Sequence, residues 1–276
     1  MVSRLFSGLV AVRLTVAYAV MLAVVATTLA VLGPRVQGSV VTHLSTNLHN
    51  LAQGHLGTLV GSAFVTDGGQ IYVWLPGLVC LLAVAELFWR GRLVVAFALG
   101  HIGSTLIVAV VLVVAIRFGW LPISVAGATD VGISYGAVAV LGALTAAIPP
   151  GWRPAWVGWW LAIALVVAAS GEDFDFTATG HTVGLALGVL LSTRFRSAAQ
   201  WTPVRLVLLA GGGAFGYLML TGSAPLAAPV AGVAGVLIAL IGQWVARRWQ
   251  SRRMHRSVAV STGFPQLTRA EPHQPA

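Results

Sequence analysis

The chain has 276 residues, 58% of them hydrophobic and 8% charged, where a soluble domain carries roughly 25% charged residues. Its mean hydropathy of +0.89 excludes a soluble enzyme and places it among polytopic membrane proteins. The formal net charge is +9, yet the basic residues are all arginine and fall in short loops and the tail, which is the pattern of membrane topology and excludes a nucleic-acid patch. Cys80 is the single cysteine and sits in an apolar run, so no internal disulfide forms. The first apolar run is long and others follow, which argues against a cleaved signal ahead of a secreted domain.

A membrane span needs about 20 apolar residues. Eight segments read as spans: 11–33, 71–89, 93–117, 131–148, 154–170, 177–193, 203–221 and 225–246. Pro149-Pro150, Pro203 and Pro225 punctuate the connections, where proline costs least. Between the first two spans, residues 40–66 are too short and too polar to cross. Leu44, Leu48 and Leu51 share one helical face there, so the segment reads as a hairpin in the outer interface, partly buried against the bundle.

With the N-terminus inside, the cytoplasmic loops take Arg4, Arg13, Arg90, Arg92, Arg153, Arg194, Arg196, Arg205 and every arginine from Arg247 onward. The outer side keeps Arg35 and Arg117, together with Asp67, Asp130, Glu172, Asp173 and Asp175. This bias predicts an even number of spans with both termini cytoplasmic, as in a bacterial plasma membrane. The expected organisation is a transmembrane core over 1–200, two further helices over 201–248, and a basic, disordered tail over 249–276. Lipid bilayer is the expected environment, and nothing in the chain points to a cofactor. His43, His49 and His55 recur every six residues, which does not align them on one helical face, so no metal site is expected.

Two polar residues stand out inside the apolar segments. Ser134 lies in Asp130-Val-Gly-Ile-Ser134-Tyr135-Gly136, and His181 in Asp175-Phe-Thr-Ala-Thr-Gly180-His181. Both spans run outside to inside, and the residues sit roughly 6 and 9 Å below their acidic markers at 1.5 Å per residue. The fourth span carries Gly132, Gly136, Ala139, Gly142 and Ala143, and the sixth Gly180, Gly184 and Gly188. Such small-residue faces let helices pack backbone to backbone. A serine hydroxyl within reach of an imidazole is a nucleophile with its base. Serine is also a common packing residue in membrane helices, and a membrane histidine often only bonds across helices. On the residues alone, both readings stand. Buried Glu86 reads as a structural bond to a neighbouring helix or loop, and His101, with Ser104 and Thr105, as an interhelical hydrogen bond.

The pattern resembles the rhomboid intramembrane serine proteases over about residues 54–193. Gly54 to Val65 is similar to the first-loop stretch of that family. Glu86 with Arg90-Gly91-Arg92 resembles the end of its second core helix, Gly132-Ile-Ser134 its serine helix, and Gly180-His181 with Gly184 and Gly188 its histidine helix. The Ser-Thr-Asn-Leu-His-Asn stretch resembles an actinobacterial branch. The resemblance implies an all-α, six-helix core, here with two extra C-terminal helices, and a Ser134–His181 dyad without a catalytic carboxylate. It implies transmembrane proteins as substrates or partners. It departs at two places. The family glycine after the serine is Tyr135, and the family's histidine and asparagine near the oxyanion correspond to Gln70 and Trp74. A glutamine amide can donate to an oxyanion, so Gln70 takes that role in the implied mechanism. Two alternatives remain open: a pseudoprotease that binds membrane-protein partners without cleaving them, and a small-molecule transporter. Against the transporter, Glu86 is the clearest intramembrane carboxylate, and no inverted repeat is evident.

Overall fold

The computed structural model describes residues 8–66, 71–170, 175–195, 200–222 and 226–261. Among them every regular element is helical. Helices stand where spans were expected: α1 (Arg13–Leu32), α2 (Ile71–Trp89), α3 (Arg92–Arg117), α4 (Ser134–Ala143), α5 (Arg153–Ala169), α6 (Phe176–Ser192), α7 (Pro203–Thr221) and α8 (Ala227–Ser261). Five of these are long and apolar enough to cross a membrane, namely α1, α2, α3, α7 and the Ala227–Gln250 part of α8. The other three are shorter.

The fourth span shows why. It was expected from residue 131, but the helix begins at Ser134 and tightens into a 3-10 turn at Leu144–Ala146. Gly132 takes φ +117°, a left-handed conformation that keeps the chain non-helical just before Ser134. Hydrogen bonds from the hairpin hold this lead-in outside the helix. At 1.5 Å per residue, Ser134–Ala146 reaches about 20 Å, short of the ~30 Å hydrocarbon core. Non-helical backbone at that depth is tolerated only where protein surrounds it. The helix itself is enclosed by protein, with every residue from Tyr135 to Ala143 buried.

Helix α4 is the axis of the bundle, clasped between α3 and α6, with α2 and α7 against its remaining sides. Small residues make the clasp possible. A side-chain carbon added at Gly142 would meet the backbone of Leu185 and Val189, and one at Gly188 the backbone of Ala139. Toward α3, Gly100 leaves room for Ala139 and Gly136 for the Phe97 ring. At the C-terminal end of α4, Arg153 donates to the Ile148 and Ala146 carbonyls at 2.9 and 3.0 Å, placing a cation where α4 leaves its carbonyls free.

The two C-terminal helices differ in their roles. Phe215 of α7 is 2% exposed and seated on Gly77 of α2, while Gly212 abuts Leu81 and Gly216 abuts Leu141 of α4, so α7 completes the core. Helix α8 packs along α5 through the facing pair Gly158 and Gly235. It continues to Ser261, past the boundary at 248 expected from composition. Residues 262–276 of the expected tail lie outside the described residues.

Glu86 is 2% exposed and accepts from the Leu14 and Thr15 amides at 2.9 and 2.8 Å and from the Thr15 hydroxyl at 2.7 Å. Val12 gives the start of α1 no side-chain cap, so a carboxylate from α2 satisfies the free first-turn donors instead.

Candidate active site at the α4–α6 junction

The segment expected as an outer hairpin is built from short helices at Pro34–Leu44, Leu48–Ala52 and Thr58–Gly61 and a 3-10 turn at Ser62–Phe64. Gly33, at φ +90°, breaks it from α1, and Asn47 caps its second helix by accepting from the Asn50 amide. The hairpin grips the lead-in to α4 at several points. The Thr46 amide donates to the Asp130 carbonyl at 2.8 Å, and the Asp130 amide donates to the Ser45 hydroxyl at 2.8 Å. The Thr46 hydroxyl donates to the Asp130 carbonyl and to its carboxylate, at 3.0 and 3.2 Å. The Gly132 amide donates to the Ser62 carbonyl at 2.9 Å. Ser62 in turn bonds His101 Nε2 of α3 at 3.0 Å, with both residues buried. The interhelical bond expected for His101 is thus made to the hairpin.

These ties deliver Ser134 as the first residue of α4, half-buried at the end of the bundle core. It is not a turn inside its helix, as the count from Asp130 implied, because residues 130–133 are held in the lead-in. Asp175 caps α6, accepting from the Thr177 and Ala178 amides at 2.9 and 3.0 Å, and His181 lies one and a half turns further in.

Tyr135 follows Ser134 in the chain. Its ring meets the His181 imidazole edge-on, with centroids 5.6 Å apart and planes at 84°. It fills the space that Gly180 leaves without a side chain, and its own carbonyl lies against Gly184. His181 is 7% exposed, and its Nε2 is buried without a hydrogen-bond partner. The residue of α4 in ring contact with His181 is therefore the one after the serine. The Tyr135 hydroxyl approaches the Asp130 carboxylate without the geometry of a full hydrogen bond. Burial pushes the Asp130 carboxyl up to about 6, with the Thr46 and Tyr135 hydroxyls pulling the other way.

The two positions expected near the oxyanion fare differently. Trp74 is half-buried and packs at a tilt on Phe215 of α7, with centroids 6.2 Å apart. Gln70 lies outside the described residues, as does 171–174 of the loop before α6. Ser45, Thr46 and Ser62 were not singled out by sequence as site residues, although they carry the lead-in. Their only local signal was a polar, cap-forming run in a segment too short to span.

A family model described as rhomboid-like protein matches residues 11–200. The chain belongs to the rhomboid-like protein family. No curated protein and no solved structure matches it. The match takes in the hairpin and α1 through α6, and it ends before α7. This rhomboid-like protein is an integral membrane protein whose two C-terminal helices are additions to the matched region.

Proposed function

We propose that this rhomboid-like protein is an intramembrane serine peptidase acting on transmembrane segments of other proteins, with Ser134 as nucleophile and His181 as general base. One observation supports it above others: Ser134 heads α4, and its chain neighbour Tyr135 is in ring contact with His181. Nucleophile and base thus share one end of a helix pair that glycines bring together. Catalytic hydrogen bonds are often long in the unliganded state and tighten on the substrate.

In the proposed reaction His181 takes the Ser134 proton as Oγ attacks the peptide carbonyl. The oxyanion is held by amides of the first turn of α4, whose N–H groups have no intrahelical acceptor, together with the Gln70 amide. His181 then gives its proton to the leaving amine, and water activated by His181 releases the acyl group. Both termini are placed on the cytoplasmic side on the arginine distribution, so water enters from the opposite face, past the hairpin. Labelling of the purified protein with a fluorophosphonate probe tests this. The probe should label the wild type and should spare both Ser134→Ala and His181→Ala. Labelling that persists in Ser134→Ala rules out this nucleophile.

The position of Tyr135 favours a second reading. Its ring occupies the side of the imidazole that a family glycine would leave open, which suits a pseudoprotease that holds membrane-protein partners. That reading expects no labelling of the wild type, no fragments, and partner capture indifferent to Ser134→Ala.

A further inference from the structure

The hairpin acts as a wedge. Its Thr58–Phe64 turn touches both α1 and α3, which meet one another through the Tyr18 and Phe97 rings, with centroids 5.3 Å apart, and have few backbone approaches. Tyr18 of α1 donates to the Ala63 carbonyl at 2.6 Å, and His101 of α3 bonds Ser62, so the wedge is pinned on both sides. Beside it the parted helices leave a cavity of about 290 Å³, lined by buried Leu82 of α2 and, among others, by exposed Val60 and Val94. Those two residues are 59% and 53% exposed.

The walls decide what can enter. They are hydrocarbon except for Thr15, Tyr18 and His101. The Thr15 hydroxyl is spent on Glu86, the Tyr18 hydroxyl on Ala63, and His101 Nε2 on Ser62. His101 Nδ1 alone among these atoms is buried without a partner. A buried water needs two to four polar partners, so the cavity does not suit water. A linear chain does fit. Along α3 the groove runs from Leu93 to Ile102, about 14 Å at 1.5 Å per residue, close to half of the ~30 Å hydrocarbon core. An unfilled gap would forfeit dispersion contacts along its whole lining.

We propose that this groove is a binding site for one acyl chain of a phospholipid, drawn from the leaflet on the side of the α1 N-terminus. The chain replaces the packing that the wedge prevents α1 and α3 from making. Because the same wedge holds Gly132 through Ser62, the bound chain backs the segment that leads to Ser134. The site stands on the cavity and does not depend on the proposed peptidase activity.

The test uses the full chain in vesicles of phosphatidylethanolamine and phosphatidylglycerol, doped with a phospholipid carrying a mid-chain diazirine. After photolysis, adducts are mapped by residue. Adducts on Tyr18, Phe97 and Ala98 should exceed several-fold those on Val204 and Val207, lipid-facing residues of α7 that are 65% and 70% exposed. Ala98→Trp, which fills the groove, should bring Tyr18 and Phe97 down to that background while melting like the wild type. The wild-type map is decisive even if that variant fails to fold. Adducts no denser in the groove than on α7 overturn the proposal. So does enrichment with a diazirine fatty acid but not with the phospholipid, or a chain-to-chain crosslink through Val60 or Val94, which would seat a second copy there.

Discussion

Replacing Gly188 with alanine should damage this protein more than its chemistry suggests. The added carbon would lie 2.8 Å from the Ala139 carbonyl carbon and 3.0 Å from its Cα, and closer still to the Ala139 oxygen. Ordinary contact begins near 3.4 Å, so the helices must part by at least 0.6 Å (3.4 minus 2.8), and further to clear the oxygen. No rotamer relieves this, because the obstacle is backbone. Nor can α4 retreat, because Ala139 already fills the space above Gly100 of α3. Overpacking typically costs about 1–3 kcal/mol, and an immovable neighbour places this site at the upper end. For a chain of this size that is roughly 5–10 °C in melting temperature. Thermal unfolding in detergent is the assay, with Gly38→Ala as the control, since nothing lies within 4 Å of that position. Gly188 is two turns along α6 from His181, so probe labelling of Ser134 should fall as well; a 1 Å misplacement can cost about 10²-fold in rate. Gly188→Ala melting with the wild type would refute the close-packed α4–α6 contact and the shared-junction argument built on it.

Glu86→Gln should cost about 1–3 kcal/mol, because an amide has one acceptor for the three donors that Glu86 now satisfies, and its NH₂ faces the start of α1. Thr15→Val combined with it should be less than additive in unfolding experiments, since both act on one network. Tyr135→Phe should melt close to the wild type, as the hydroxyl makes no full hydrogen bond, whereas Tyr135→Ala should lose about 3–5 kcal/mol. For Asp130 the folded carboxyl titrates at about 6, above its ordinary 3.8, so the folded protein holds that proton more tightly than the unfolded chain. Stability is then highest below the ordinary value and falls as pH rises through about 6. Asp130→Asn should flatten that part of the stability–pH curve, and an unchanged slope would assign it to another group.

Much of the fold was legible because a bilayer imposes a simple rule. Backbone groups in hydrocarbon must bond within their own helix, so each long apolar run had one outcome, and α2, α3 and α7 begin and end within a residue of the expected spans. The glycines at 142, 184 and 188 also announced themselves, since repeated small residues have little use on a lipid-facing surface. The N-terminal edge of α4 was not legible. Residues 130–133 read as the start of a span, and only the bonds from Ser45, Thr46 and Ser62, distant in sequence, explain why helix does not form there.

The sequence by itself determined that this is a polytopic helical membrane protein, and it named Ser134, His181 and the glycines around them as candidates. Those are consequences of composition and of short-range spacing, which hydrocarbon reads one helix at a time. The tertiary structure decided that Tyr135 is the residue that packs on His181, that α7 rather than lipid covers α2 and α4, and that the hairpin both holds the approach to Ser134 and opens a groove beneath it. Each of these depends on the rotation of one helix about its own axis against its neighbours. An apolar sequence leaves that rotation undetermined until side-chain volumes and a few buried hydrogen bonds meet in three dimensions.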